Sequence, residues 1–265
     1  MKKMTTQELK KVQLDILNVV AEYCDKNNIK YFLAYGTLIG AIRHKGYIPW
    51  DDDIDIVMTR PDYDKFLKFF NEFNDRYEVM SFEKDKKFLY TFAKVCDNTT
   101  LLKEGKQIGC TLGVNIDVFP LDGIKNGNQL LKRQIMLRHI LDIKTASYSK
   151  NRKKIKSILL SIIKVVLCFI PTRRIIKSMI DNSKTFNCDE CDMVCNIVEG
   201  APNNIPLKKE LFNGVLHVSF EDKLYNIPVG YDEWLKTAYG DYMQLPPKEQ
   251  QVSPHNFEAY YKAMT

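Results

Sequence analysis

Tyr35-Gly36-Thr37-Leu38-Ile39-Gly40-Ala41-Ile42-Arg43-His44-Lys45-Gly46-Tyr47-Ile48-Pro49-Trp50-Asp51-Asp52-Asp53-Ile54-Asp55 is the stretch on which the fold is decided. Its end packs four carboxylates into five positions, and like charges at that density require a cation or full solvation. Read as a strand, it turns Asp51, Asp53 and Asp55 to one face and Ile54 and Ile56 to the core. An oxygen-only donor set of this kind suits Mg²⁺, with Mn²⁺ able to substitute. A Ca²⁺ loop of the EF-hand type is disfavoured, because no Gly and closing Glu follow at the required offsets. The beginning of the stretch has a different use. Gly36-Thr37 falls between an apolar run at 31–35 and a short helix at 38–44. A Gly there allows close backbone approach, and a helix start offers amide donors to a phosphate.

Outward from this stretch the chain alternates strands and helices. Thr5 and Glu8 have capping-box spacing, and Leu9, Val12, Ile16, Val19, Val20 and Tyr23 repeat at helical intervals. Asn27-Asn28 ends that helix. Arg60-Pro61 starts another. Strands are expected at 54–58, 77–82, 88–95, 114–119 (ending at Pro120), 193–198, 215–220 and 224–227. Helices are expected at 129–148, 155–183 and 231–239, with an irregular tail after 245–247. Asp117 sits among apolar residues on the 114–119 strand. Asp122 before Gly123 reads as a turn acid. The interleaving gives the class α/β (α+β): a mixed sheet flanked by helices, with a helical basic insert. The expected parts are a catalytic core at 1–125, the insert at 126–187 and a completing segment at 188–265.

The 265 residues carry a net charge of +6, with 45% hydrophobic and 27% charged residues, which excludes disordered and fibrous classes. Residues 143–180 hold ten Lys and Arg and no Asp or Glu, so that insert is +10 and the remainder −4. Its apolar runs, 158–163 and 165–170, are interrupted at Lys164 and too short to span a bilayer. They suit a helix in the interface with lysines toward anionic headgroups, or a core helix with a solvated basic end. Few aromatics lie between its charges, so base stacking is poorly served and nucleic acid is not an expected partner. Seven cysteines, an odd number at irregular spacing, point to a reduced intracellular protein. Met1-Lys2-Lys3-Met4 leads into an amphipathic pattern rather than a secretory signal. Cys188, Cys191 and Cys195 suggest zinc, but no fourth ligand stands at usual spacing. They also share one helical face, as core cysteines would.

Gly36-Thr37 ahead of Asp53-x-Asp55, with Asp117 on a later strand, resembles the general pattern of nucleotidyltransferases. The long stretch, with Phe92-Ala93-Lys94-Val95, Ile116-Asp117-Val118-Phe119-Pro120-Leu121-Asp122-Gly123 and Tyr239-Gly240-Asp241-Tyr242-Met243, resembles the LicD family. These are bacterial phosphocholine transferases, with fukutin and fukutin-related protein as distant relatives. The resemblance implies a nucleotidyltransferase-like fold and a Mg²⁺-dependent reaction. Phosphocholine would pass from CDP-choline, or a similar CDP-alcohol, to a hydroxyl of a glycan or lipid-linked glycan. Teichoic acid, lipopolysaccharide and capsule precursors are the acceptor classes, and CMP leaves. Asp53, Asp55 and Asp117 would be catalytic and hold the metal, with Asp51 an outer ligand. Gly36 and Thr37 would contact phosphate. Arg43, His44 and Lys94 are the cations for the diphosphate, although His44 equally suits a structural hydrogen bond. Asp241 would contact a substrate or close a helix-end turn. A choline group needs aromatic ring faces, and Trp50, Tyr90, Trp234, Tyr239 and Tyr242 are available. The expected location is cytoplasmic, at the inner face of the membrane. Nucleotidyl transfer to a sugar phosphate and a non-catalytic membrane scaffold are the alternatives.

Overall fold

The computed structural model describes residues 1–103, 109–125, 128–145, 165, 167–201, 204–253 and 258–263. The capping box forms: Thr5 Oγ1 accepts the Glu8 amide at 3.2 Å, and Glu8 Oε2 accepts the Thr5 amide at 2.9 Å. It opens α1 (Thr6–Lys26), which buries Leu9, Val12, Ile16, Leu17, Val20 and Tyr23 along one face. The apolar run at 31–35 is a strand only at β2 (Phe32–Leu33). Tyr35 then turns into left-handed backbone, φ 48°, and begins α2 (Tyr35–Arg43). Gly36 and Thr37 therefore lie in the helix's first turn rather than before it.

The central sheet has the order β2-β3-β7-β5-β4. Its members are β3 (Asp55–Thr59), β4 (Tyr77–Met80), β5 (Ala93–Asp97) and β7 (Asn115–Ile124). The β3–β7 pair is parallel and the other pairs in that order are antiparallel, so the sheet is mixed as expected. Ile56, Met58, Ile116 and Val118 are buried on one face. There α1 and α3 (Arg60–Phe69) pack on the sheet. The opposite face, by alternation, carries Asp55, Lys94, Asp117 and Phe119. Two short strands, β8 (Met193–Cys195) and β9 (Leu207–Lys208), extend the sheet from the last residues of β7, with which β8 pairs.

Several expectations need correction. Pro120 does not end its strand. The Asp117 amide donates toward β3, to Ile54 O at 2.9 Å, so even-numbered amides of β7 face the other side. On that side β5 pairs only up to Val118 and the pairing with β8 begins at Asp122, so the missing N–H of Pro120 falls in a gap. The strand expected at 88–95 forms only from Ala93. The tail is not wholly irregular: β12 (Glu258–Tyr261) lies between β1 (Lys2–Lys3) and β6 (Thr100–Lys103). Cys188 starts a short 3₁₀ turn and Cys195 ends β8, so Cys188, Cys191 and Cys195 share no helical face, although all three are buried. The insert contributes α4 (Asn128–Thr145) and α5 (Thr172–Ser183), which pack together through Leu141, Ile175, Ile176, Met179 and Ile180. Most of its basic segment, including the run at 158–163 and the first ten residues of the helix expected at 155–183, lies outside the described residues. A hairpin of β10 (Val215–Phe220) and β11 (Lys223–Pro228) precedes α6 (Tyr231–Tyr239).

Asp122 is not a turn acid. It is 1% exposed on β7, and Arg60 at the start of α3 donates to it through Nε (2.6 Å) and Nη2 (3.1 Å). Removing one partner of a buried forked pair leaves an uncompensated charge. Asp122→Ala should lower stability by about 3 kcal/mol in urea unfolding. An unchanged midpoint would mean that the pair contributes nothing.

Candidate active site

The helix start and the acids meet at Gly36. A Cβ there would stand 2.6 Å from Asp51 Oδ2, so only a glycine lets that carboxylate approach the first turn of α2. Thr37, 3% exposed, accepts the Asp55 amide on Oγ1 at 2.9 Å. Its hydroxyl ties the helix start to the first residue of β3. Regular strand begins only at Asp55, so alternation does not orient Asp51 and Asp53. Instead the irregular segment before β3 folds so that Asp51, Asp52 and Asp53 each offer an oxygen within 4.8 Å of the others. Asp52 is the addition to the expected set, and it is tied outward: Ser253 donates to its Oδ2 at 2.9 Å, and Gln13 to its carbonyl at 2.9 Å.

Asp55 and Asp117 stand directly opposite each other in the parallel β3–β7 register. Burial, then the charges of Asp53, Asp117, Asp51 and Glu199, hold the Asp55 carboxyl well above the usual carboxylate range. A cation among these oxygens would relieve that repulsion, and hard oxygen donors suit a divalent one. Among the described residues Asp51, Asp52 and Asp53 bring such donors together, with Asp55 and Asp117 beside that group rather than within it, and this oxygen set fits a Mg²⁺ site. On the next strand Lys94 is in register with Asp117 and donates to it at 2.6 Å and to Asn115 Oδ1 at 3.1 Å. Lys94 is 6% exposed and lies over the rings of Tyr90 (5.2 Å) and Phe92 (5.5 Å).

These acids border a cavity of about 500 Å³. Asp53, Asp55 and Asp117 line it, with Tyr90, Trp234 and Tyr239 from the aromatic candidates. Three further rings join them: Tyr35, Phe92 and Phe119. The Tyr35 ring meets Phe119 edge-on at 5.6 Å and Trp234 at 6.0 Å. Sequence reasoning missed the polar part of the wall. Asn196 donates to the Tyr35 hydroxyl at 2.6 Å and to Glu199 Oε2 at 3.2 Å, and Asn204 donates to the same Glu199 oxygen at 3.1 Å. Asn196 Oδ1 is buried and, among the described residues, has no hydrogen-bond partner, which leaves an acceptor in the cavity wall to be satisfied. Arg138 and Asp142 on α4 complete the wall and pair at 3.1 Å. The available signal was local: an apolar pair, Ile197-Val198, bracketed by two polar residues and closed by Gly200.

Arg43, His44 and Asp241 are not among the residues lining this cavity. Arg43 Nη1 donates to the carbonyls of Tyr242 (2.6 Å) and Gln244 (3.2 Å), which fastens the far end of α2 to the segment after α6. Arg43 Nε donates to His44 Nδ1 at 3.4 Å. Burial, and then the Arg43 charge, lower the His44 pKa. Trp50 and Tyr242 border a shallower hollow that Arg43 and Asp241 share.

Residues 28–149 match the family described as LicD/FKTN/FKRP, nucleotidyltransferase domain. The chain is 33% identical to the lipopolysaccharide cholinephosphotransferase LicD of Haemophilus influenzae, over 98% of this chain and 99% of that protein. It is also 41% identical to an uncharacterized protein of Rickettsia prowazekii, over 24% of each chain. An uncharacterized protein of Rickettsia typhi is 48% identical over 20% of this chain and 17% of its own.

Gly36→Ala tests the contact between the helix start and Asp51. Divalent-metal affinity, read by calorimetry, should fall about tenfold or more while the circular dichroism spectrum is kept. Unchanged affinity would separate Asp51 from the metal set.

Proposed function

The chain belongs to the LicD family, and on that premise we propose that it transfers phosphocholine from CDP-choline to a hydroxyl of a cell-surface glycan. Lipopolysaccharide is the acceptor class favoured by the full-length relative. Teichoic acid and capsule precursors present the same hydroxyl chemistry. The observation that carries the reading is the in-register pair of Asp55 and Asp117, set beside Asp53 and the start of α2 on an aromatic cavity.

The transfer makes one bond and breaks one. The acceptor oxygen attacks the choline-bearing phosphorus, the bond from that phosphorus to the bridging oxygen breaks, and CMP departs with that oxygen. Asp51, Asp53, Asp55 and Asp117 would hold Mg²⁺ or Mn²⁺, which neutralises charge on the diphosphate. The protein's own contributions are positioning and charge. Thr37 fixes the backbone of Asp55. Lys94 donates to Asp117 at 2.6 Å and fixes that carboxylate, which would receive the proton of the attacking hydroxyl. Gly36 leaves room for anionic groups near the amides of α2. Arg43 sets the position of the segment that carries Asp241.

We place the enzyme at the inner face of the cell membrane. Among the described residues no helix is long and apolar enough to cross a bilayer. Phe169 is 82% exposed and Val165 62%, and the exposed Arg173, Arg174 and Lys177 follow on α5. An apolar tip flanked by cations suits an anionic lipid surface. Lys144, at the end of α4, donates to the Leu167 carbonyl at 2.8 Å, which links this tip to the helix that walls the cavity.

Two measurements test these statements. CDP-choline, CDP-ethanolamine, CDP-glycerol and CDP-ribitol are each supplied with lipopolysaccharide and Mg²⁺, and CMP release is followed. CDP-choline should give turnover that EDTA abolishes, and Asp53→Asn or Asp55→Asn should reduce it about a thousandfold with the fold intact. Metal-dependent CMP from none of the four donors would sink the reading. Pyrophosphate released from CTP and a sugar phosphate would favour nucleotidyl transfer instead. In co-sedimentation, anionic vesicles at low salt should carry the protein down and Phe169→Ser should weaken this several-fold. Absence of binding would remove the membrane placement.

A further inference from the structure

The charges around the cavity do not all belong to the metal set. Five carboxylates line it: Asp53, Asp55, Asp117, Asp142 and Glu199. Asp117 is paired with Lys94 and Asp142 with Arg138. Asp53 and Asp55 stand at the proposed metal. Glu199 is different. Its Oε2 accepts hydrogen bonds from the neutral amides of Asn196 and Asn204, and among the described residues no cation pairs with its carboxylate. Arg138 reaches only the backbone carbonyl of Glu199, at 3.0 Å. A half-buried carboxylate held in place by neutral donors keeps its charge uncompensated.

The rings divide in the same way. Lys94 already occupies the faces of Tyr90 and Phe92. Tyr35, Trp234 and Tyr239 lie on the Glu199 side. The Tyr35 hydroxyl shares Asn196 with Glu199, and its ring meets Trp234. Glu199 is near enough for its charge to act on both Asp55 and Tyr239, so this corner adjoins the reacting phosphate without being part of the metal set. A quaternary ammonium has no hydrogen to donate. It is held by ring faces and by a fixed negative charge, and this corner presents both.

We infer that Glu199, with the rings of Tyr35, Trp234 and Tyr239, receives the trimethylammonium group of the choline donor and selects it over uncharged alcohols. This rests on the phosphocholine-transfer reading. It adds that the cavity recognises the donor at two poles: a cation bound by the acids at the diphosphate, and the donor's own cation at Glu199.

The test isolates the charge of the ligand. The full-length protein is titrated calorimetrically with CDP-choline, with its carbon analogue carrying a neutral tert-butyl group in place of trimethylammonium, and with CMP. The wild type should bind CDP-choline about tenfold or more tightly than the analogue. Glu199→Gln keeps the acceptor oxygen for Asn196 and Asn204 but removes the charge. It should erase that preference and leave CMP affinity unchanged. Tyr239→Leu, at an exposed ring, should narrow the preference without touching the Glu199 network. A wild type that binds CMP and CDP-choline but does not distinguish the analogue overturns this inference alone, as does a preference that survives in Glu199→Gln. A wild type that binds neither CMP nor CDP-choline overturns the donor reading and this inference with it.

Discussion

Two carboxylates held face to face across neighbouring strands are the constraint around which this protein is built. Parallel pairing of β3 with β7 puts Asp55 opposite Asp117, a register that like charges oppose. The rest of the sheet has to hold it. Ile56, Met58, Ile116 and Val118 are buried beneath α1 and α3, and a one-residue slip of either strand would turn these side chains to the wrong face. Apolar packing on one face thus enforces electrostatic conflict on the other. Lys94 offsets part of that conflict by meeting Asp117 from the third strand. A bound divalent cation would offset the remainder, and its binding would in part release strain that folding imposes.

The ends of the sheet serve different needs. Near Asp55 the backbone is fixed by Thr37 and left uncrowded by Gly36. Beyond Asp117, β7 runs on past Pro120 to pair with β8, and this continuation carries Asn196 and Glu199 to the far wall of the cavity. Buried Arg60 clamps the same stretch by gripping Asp122. The strand that carries Asp117 therefore also anchors, through β8, the segment that carries Asn196 and Glu199.

Much of this was legible in the sequence, for reasons that are local. A capping box, a Pro at a helix start, and acids set in an apolar strand each declare themselves within a few residues. Asp55, Asp117 and Gly36 were accessible for that reason, whereas Asp53 precedes the regular strand and takes its place from the irregular segment before it. Glu199 and Asn196 were not accessible, because the one local sign, polar residues on either side of Ile197-Val198, does not say what they face; a strand pairing far along the chain gives them their neighbours. Asp122 looked like a turn acid because its partner, Arg60, is distant in sequence. The middle strand of the small sheet, β12, was missed for the same cause: its partners are β1 and β6, and pairing energy from remote segments overrides weak local preference. Arg43 was legible as a cation but not as a fastening, since carbonyl acceptors leave no mark in a sequence.

That fastening makes α2 a lever. The helix spans nine residues, roughly 13 Å. One end carries Gly36 and Thr37 beside the acids, and the other is pinned by Arg43 to the carbonyls of Tyr242 and Gln244. A rod fixed at both ends transmits displacement. Movement of the 242–244 segment, by whatever docks against it, would be felt as a change in the pitch of α2 against Asp51 and Asp55.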